Sequence, residues 1–204
     1  MTNQTLLLVM ARAPRRGRVK TRLIEALGAD QALRIHQALL ARTLAQAAAF
    51  HGPARLLLDQ PDHALAAHAG RLGLSVGQQQ GKDLGERMSL ALADGLARFP
   101  RVLLVGSDCP VLDQTYLALA QARLSSARVV LGASEDGGFV LIGGRQAEDW
   151  SAGLFDPVRL GTGHALADTL VALRDVPAVA VLPPLWDVDH PEDVQRARLL
   201  GLLD

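Results

Sequence analysis

Val102-Leu103-Leu104-Val105-Gly106-Ser107-Asp108-Cys109-Pro110 is the stretch from which the fold is read. Four consecutive apolar residues that stop at glycine, serine and aspartate read as a strand buried on both faces. A carboxylate at the end of such a strand, followed two residues later by a proline that stiffens the backbone, is a hard oxygen ligand suited to Mg²⁺ or Mn²⁺. The competing role for Asp108 is to cap a turn, which aspartate often does. Cys109 has no histidine partner fixed by the sequence and reads as a small apolar filler, not a nucleophile.

Outward from this strand, short apolar runs alternate with helical spacing. Leu6-Leu7-Leu8-Val9-Met10, Arg55-Leu56-Leu57-Leu58, Arg128-Val129-Val130-Leu131, Phe139-Val140-Leu141-Ile142 and Ala178-Val179-Ala180-Val181-Leu182 read as strands, and Leu74-Ser75-Val76 as a weaker one. Helices are expected over Gln31–Phe50, from Pro61-Asp62 onward, over Leu84–Phe99 with Leu84 on the buried face, after Asp113, over His164–Leu173 and from Pro191. Gly144 to Gly163 is the least regular segment and reads as a loop over the sheet edge. This alternation predicts one α/β domain over residues 1–204 with a mostly parallel central sheet. In such sheets ligands lie beyond the carboxyl ends of the strands, which directs attention to the residues after Met10, Val105, Leu131 and Leu182.

Composition excludes several classes. The 204 residues carry 21 basic and 21 acidic side chains, a formal net charge of zero, so no global field favours nucleic acid or an anionic membrane. Hydrophobic residues make up 49%, which is globular and argues against disorder. The apolar content also leaves room for a homodimer interface. A single cysteine fits a reducing, cytoplasmic setting. No apolar run is long enough to span a membrane, and Met1-Thr2-Asn3-Gln4-Thr5 lacks the charged region of a secretion signal. Only two of the 21 basic residues are lysines, Lys20 and Lys82, a weak pointer to sites where a compact point charge matters.

Those charges are segregated. Ala11-Arg12-Ala13-Pro14-Arg15-Arg16-Gly17-Arg18-Val19-Lys20-Thr21-Arg22 follows the first strand and holds six cations with no acid among them. Gly17 permits a close backbone approach, and the amino end of the following helix points at whatever the loop holds. Convergent cations and backbone donors suit a polyphosphate; the competing reading is a solvated basic loop. No Walker motif occurs, and Gly161-Thr162-Gly163 lacks both the third glycine of a dinucleotide fingerprint and a preceding strand. In Trp186-Asp187-Val188-Asp189-His190-Pro191-Glu192-Asp193, Asp187 and Asp189 share one side of an extended segment. Either would bring a second carboxylate to a metal at Asp108, or Asp189 caps the Pro191 helix. A dehalogenase nucleophile motif is excluded because almost no chain follows. The histidines, His63 and His68 among them, make no metal pair.

Taken together, these segments resemble a bacterial glycosyltransferase-like family of unknown function. It is the rSAM/selenodomain-associated transferase type within the GT-A-fold nucleotide-diphospho-sugar transferase superfamily. The likeness rests on Ala13-Pro14 with Gly17-Arg18-Val19-Lys20-Thr21-Arg22-Leu23, Gln80-Gly81 with Leu84-Gly85-Glu86-Arg87-Met88, and Gly106-Ser107-Asp108-Cys109-Pro110. Asp136-Gly137-Gly138-Phe139 with Leu141-Ile142-Gly143, and Asp187-Val188-Asp189 with Pro191-Glu192-Asp193, complete it. Two positions depart from the family pattern: Arg12 stands where lysine is common, and His190 where threonine usually follows Asp189.

The resemblance implies a three-layer α/β/α GT-A-like (Rossmann-like) fold. It implies nucleotide-phosphate contacts from Ala11, Arg12, Gly17, Arg18, Lys20, Arg22, Gln80, Gly81 and Arg87, and substrate contacts from Asp136, Gly137 and Gly138. Lys20 and Asp108 would be catalytic, with Mg²⁺ or Mn²⁺ held by Asp108 and Asp189. The expected partners are a nucleotide or nucleotide-sugar and a small-molecule acceptor. Two chemistries follow, with glycosyl transfer slightly ahead: transfer from a nucleoside-diphosphate sugar, or nucleotidyl transfer from a nucleoside triphosphate to a phosphorylated small molecule with release of pyrophosphate. A non-catalytic nucleotide-binding module on the same fold is the third reading.

Overall fold

The computed structural model describes residues 4–204. Met1–Asn3, part of the segment whose composition argued against a secretion signal, lie outside the described residues. Every residue of β1 (Thr5–Ala11) is buried. Leu7, Val9 and Ala11 face one side of the sheet and Leu6, Leu8 and Met10 the other, as a period of two dictates. An unbroken apolar run is therefore what a strand covered on both faces needs.

The other strands are β2 (Ala54–Leu58), β3 (Ser75–Gln78), β4 (Arg101–Val105), β5 (Val129–Ser134), β6 (Phe139–Gly144) and β7 (Val179–Leu185). The helices are α1 (Thr21–Leu27), α2 (Ala29–Ala49), α3 (His63–Arg71), α4 (Leu84–Leu96), α5 (Gln114–Arg123), α6 (Ala165–Ala172) and α7 (Pro191–Leu199). The strands form a seven-stranded sheet in the order β3-β2-β1-β4-β6-β5-β7. All pairings are parallel except those of β6, which runs against β4 and β5.

Three packed clusters explain the layers. Leu40 and Leu44 of α2, Ala69 of α3, and Leu117 and Ala120 of α5 cover the Leu7/Val9 face. Met88 and Leu92 of α4, with Trp150, Phe155, Val158 and Leu173, cover the Leu6/Leu8 face. The segment expected as a loop over the edge is thus part of the second layer, pinned by Trp150 against Gly144, where a Cβ would sit 2.6 Å from the indole. A third cluster joins Leu23 of α1, Ile35 and Leu39 of α2, Trp186 and Val188 after β7, and Val194 and Ala197 of α7. It packs the chain's last helix beside the loop after β1. No helix among the described residues is long and apolar enough to cross a membrane.

Two details depart from the sequence reading. Leu84 is 51% exposed, because it opens onto the cleft at the start of α4 and not onto the core. The helix after the basic loop is α1, two turns long and separated from α2 by Gly28 at φ +79°.

Asp62, Asp83 and Asp113 each cap a helix, accepting from the N–H groups of Leu65, Glu86 and Tyr116 at 2.9, 2.9 and 2.8 Å. Asp113→Ala is expected to cost about 1 kcal/mol. Thermal unfolding would then show a midpoint lowered by roughly 2–4 °C.

Candidate active site

The strand order reverses between β1 and β4: β2 and β3 lie to one side of β1, and β4 and the later strands to the other. A crevice at the carboxyl ends of the strands is expected at such a switch point. A cleft of about 620 Å³ opens there, bordered by residues following β1, β2, β3, β4 and β7 and by the turn before β6.

The exit of β1 is clamped by side chains from three other elements. Gln79 Nε2 donates to the carbonyls of Ala11 and Leu57, both at 3.0 Å. Asp59 Oδ1 accepts from Ala13 N at 2.7 Å. His36 Nε2 lies 3.0 Å from the Arg12 carbonyl, which only accepts, so Nε2 carries the hydrogen. Burial lowers the pKa of His36 and favours its neutral form. Sequence reading missed all three residues. Asp59 and Gln79 follow strands at this same edge, and His36 is a polar residue on the buried face of α2; those were the available signals.

The six cations of the basic loop do not converge. Arg16 turns outward to Asp30 at 2.6 Å, and Arg15 Nη2 donates to the Pro61 carbonyl at 3.2 Å. Arg12 faces the cleft with Nη1 on the Arg18 carbonyl at 3.3 Å, while Arg18 and Gly17 do not line it. Lys20 and Arg22 do. The loop has no acid of its own, but the fold supplies acids from far along the chain.

Lys20 is the centre of that arrangement. Its side chain is 4% exposed, and Nζ lies 2.9 Å from Asp108 Oδ1 and 3.1 Å from Asp189 Oδ1. It also donates to the Val188 carbonyl at 2.6 Å. Burial opposes its charge, but the two carboxylates outweigh that and hold its pKa above the ordinary lysine value. Burial likewise disfavours the charge of Asp189, yet Lys20 and Arg22 pull its pKa below the ordinary range. Arg22 reaches Asp189 Oδ2 at 2.8 Å and the Gly161 carbonyl at 3.2 Å, tying the segment after Leu160 to this cluster.

Asp189 is not the helix cap that one sequence reading allowed. Asp193 takes that part, its Oδ2 accepting from the N–H groups of Asp189 and His190 at 3.0 and 2.7 Å. His190, at the position before the helix, has its own N–H satisfied by Asp193 and makes no side-chain cap hydrogen bond. Asp187 accepts from Ser134 Oγ at 2.9 Å and lines the same cleft. Burial is the main cause that pushes it up to about 6; the Ser134 hydrogen bond opposes this, and the charges of Asp136 and Asp189 add to it.

The remaining predicted residues divide. Arg87 and Lys82 line the cleft, with Arg87 Nε held by the Gly81 carbonyl at 3.0 Å. Gly81 thus acts through Arg87, and Gln80 faces a second cavity on the α4 side of the sheet. Asp136 and Gly138 line the cleft, joined by a 2.8 Å bond from Gly138 N to Asp136 Oδ1. Gly137 instead seats the Gly161–Gly163 segment: it adopts φ +85°, and a Cβ there would meet the Gly163 carbonyl oxygen at 2.2 Å.

Asp108 and Asp189 fit a divalent cation. Asp108 Oδ1 is buried and has no hydrogen-bond partner, so only the charge of Lys20 compensates it. Among the described residues no group of three or more His, Cys, Asp or Glu is placed to hold a metal. Mg²⁺ commonly uses one or two carboxylates and completes its shell with substrate phosphates and water, so a pair suffices.

Cys109 is buried and its thiol is pushed up to about 12, chiefly by burial. A thiol-disulfide exchange reagent at pH 8 is expected to leave native protein unmodified and to titrate the chain's one cysteine only after denaturation.

Solved structures of other proteins share this fold. A protein from Desulfovibrio desulfuricans G20, described as a candidate nucleotide-diphospho-sugar transferase, is 29% identical; the match covers 91% of this chain and 82% of that one, with a TM-score of 0.80. A cytidylyltransferase from Leptospira borgpetersenii serovar Hardjo-bovis shares the fold at 15% identity and TM-score 0.61, over 98% and 88% of the two chains. The 4-diphosphocytidyl-2C-methyl-D-erythritol synthase of Anaerococcus prevotii DSM 20548 does so at 11% identity and TM-score 0.60, over 98% and 96%. No curated protein matches in sequence. The model of a family described as "Uncharacterized protein conserved in bacteria (DUF2064)" matches residues 39–162, which bring β4, Asp108, Arg87 and the Asp136–Gly138 turn, and the chain belongs to that family.

Proposed function

We propose that the chain is a divalent-cation-dependent transferase that takes a nucleotide donor and moves a glycosyl group from a nucleoside-diphosphate sugar to a small acceptor. The observation that carries this reading is the pair Asp108 and Asp189, sharing one cation at the switch point beneath a rim of Arg12, Arg22, Lys82 and Arg87. The likeness to the Desulfovibrio protein supports a sugar nucleotide as donor. Residues 1–204 act as one domain in this reaction.

Each group has a physical task. Arg12, Arg22, Arg87 and Lys82 offer charged donors to the donor phosphates. Asp108 and Asp189 would hold Mg²⁺ or Mn²⁺, which when bound supplies charge stabilisation to the departing diphosphate. The clamp of Gln79, Asp59 and His36 fixes the β1 exit, so the phosphate-facing backbone is set before the donor arrives. Asp136 and Gly138 line the cleft and would contact the acceptor. The acceptor hydroxyl bonds to the anomeric carbon and passes its proton to solvent water; the bond from that carbon to the diphosphate oxygen breaks, and its electron pair leaves with the diphosphate.

Nucleotidyl transfer is the second reading, favoured by the four cationic side chains on one rim, which match a triphosphate's charge better than a diphosphate's. Incubation with Mg²⁺ or Mn²⁺ and panels of nucleotide-sugars and nucleoside triphosphates separates the two. Release of nucleoside diphosphate from a sugar donor is the expected result. Pyrophosphate release with a nucleotidylated acceptor would replace glycosyl transfer by the second reading.

A further inference from the structure

Both lysines of this arginine-rich chain line the same cleft, and Lys20 is committed within it. The Lys20 ammonium donates to Asp189 Oδ1 and to the Val188 carbonyl at 3.1 and 2.6 Å, and its charge lies 2.9 Å from Asp108 Oδ1. With 4% of its side chain exposed, it is committed to these groups and is not open to a phosphate in the cleft. The two carboxylate oxygens that would hold a divalent cation are thus already gathered around one tethered cation.

We infer that Lys20 is a built-in counter-ion that occupies the divalent-cation position in the donor-free protein and is displaced onto the donor phosphates when the metal enters. The inference rests on the donor reading proposed above. Charge balance carries it. Two carboxylates against one ammonium leave one negative charge for Arg22 to share, whereas a divalent cation neutralises the pair and frees the ammonium. A displaced ammonium then meets the phosphates that arrive with the metal, so neither entry leaves a buried charge unpaired.

The local geometry suits an exchange of this kind. Lys20 holds its backbone at φ +46°, a left-handed conformation rare for a residue with a side chain, and its carbonyl accepts from Leu23 N at 2.9 Å. The Cα is therefore fixed while the four-carbon stem swings, and a point charge on a flexible stem moves where a planar guanidinium fork does not. Asp108 Oδ1 has no hydrogen bond to lose when Lys20 departs. Asp189 keeps Arg22 at 2.8 Å and so stays in place. Metal alone must compete with the ammonium and strand it without a partner. Metal with a polyphosphate does not, and the two ligands are expected to bind with positive cooperativity.

The test measures Mn²⁺ affinity by the loss of its free electron-paramagnetic-resonance signal. Donor-free wild type is expected to bind Mn²⁺ weakly, and Lys20→Met and Lys20→Ala to bind it at least tenfold more tightly. Equal or weaker Mn²⁺ binding by folded variants overturns the inference. Wild type gives an independent readout, since the chain's two lysines give two ε-carbon signals with ¹³C-lysine. The buried Lys20 signal is expected to hold still with Mg²⁺ alone and to shift when Mg²⁺ is added with a panel of nucleoside diphosphates; a Lys20 signal unmoved by a nucleotide that binds with Mg²⁺ overturns the inference. Tighter Mn²⁺ binding by the variants with no nucleotide bound by any form would sink the donor reading and leave the counter-ion standing. Cation-dependent nucleotide binding without that gain would do the reverse.

Discussion

Asp108→Asn is expected to lower turnover by roughly 10²–10³-fold while leaving the protein folded, a loss comparable to removing one preorganised electrostatic group from an active site. Asparagine keeps the shape of the side chain but removes the charge that would hold the divalent cation. It leaves Lys20 with Asp189 and the Val188 carbonyl, so the ammonium is not abandoned. The backbone tie from Val188 N to the Asp108 carbonyl at 3.0 Å also survives, and it joins the exits of β4 and β7. Stability should therefore change little. A steady-state assay across Mg²⁺ concentrations, paired with thermal unfolding, checks both halves. Full activity in a folded Asp108→Asn protein would remove the residue from the machinery.

Gly137→Ala should have the largest effect on stability. A left-handed backbone costs a residue with a Cβ about 1–2 kcal/mol. Here the new Cβ would also lie 2.2 Å from the Gly163 carbonyl oxygen, a backbone atom that moves only if the Gly161–Gly163 segment does. Overpacking of that kind costs about 1–3 kcal/mol more. The combined loss, roughly 2–5 kcal/mol, should lower the unfolding midpoint by about 4–20 °C. The strain is released by moving the segment that Arg22 binds at Gly161, so the cleft should open and activity should fall as well. Hydrogen exchange at Leu166 N, which donates to the Gly137 carbonyl at 3.0 Å, would report the displacement directly. Unchanged protection there would contradict the seating role of Gly137.

The fold was legible where burial is symmetric. β1 and β4 are covered on both faces, so their apolar runs could mean little else, and the strand-end rule led from them to Asp108. Helix starts at Asp62, Asp113 and Pro191 were readable because capping is local chemistry. The direction of β6 was not, since a short glycine turn and an apolar run look alike whichever way the next strand runs. α1 was hidden because Thr21–Leu27 is too short to show a period before Gly28 interrupts it. Leu84 follows the spacing of a buried helix face, but no periodicity reports that this position opens onto a cleft.

The site was legible as a set of residue types and not as a set of pairings. Lys20 meets Asp189 from 169 positions away, and the clamp on the β1 exit draws on α2 and on the ends of β2 and β3. Such partners are set by strand order, which sequence spacing does not encode. The basic loop illustrates the result. Six cations in a row suggested one field, yet the fold sends Arg15 and Arg16 outward and keeps Arg12, Lys20 and Arg22 at the cleft.

Calorimetric titration of nucleoside diphosphates and triphosphates into the protein, with and without Mn²⁺, tests the central claim most directly. The account predicts saturable binding of at least one nucleotide that requires Mn²⁺ and disappears in Asp108→Asn. Absence of binding by every nucleotide in the presence of Mn²⁺, or equal binding by wild type and Asp108→Asn, would contradict it.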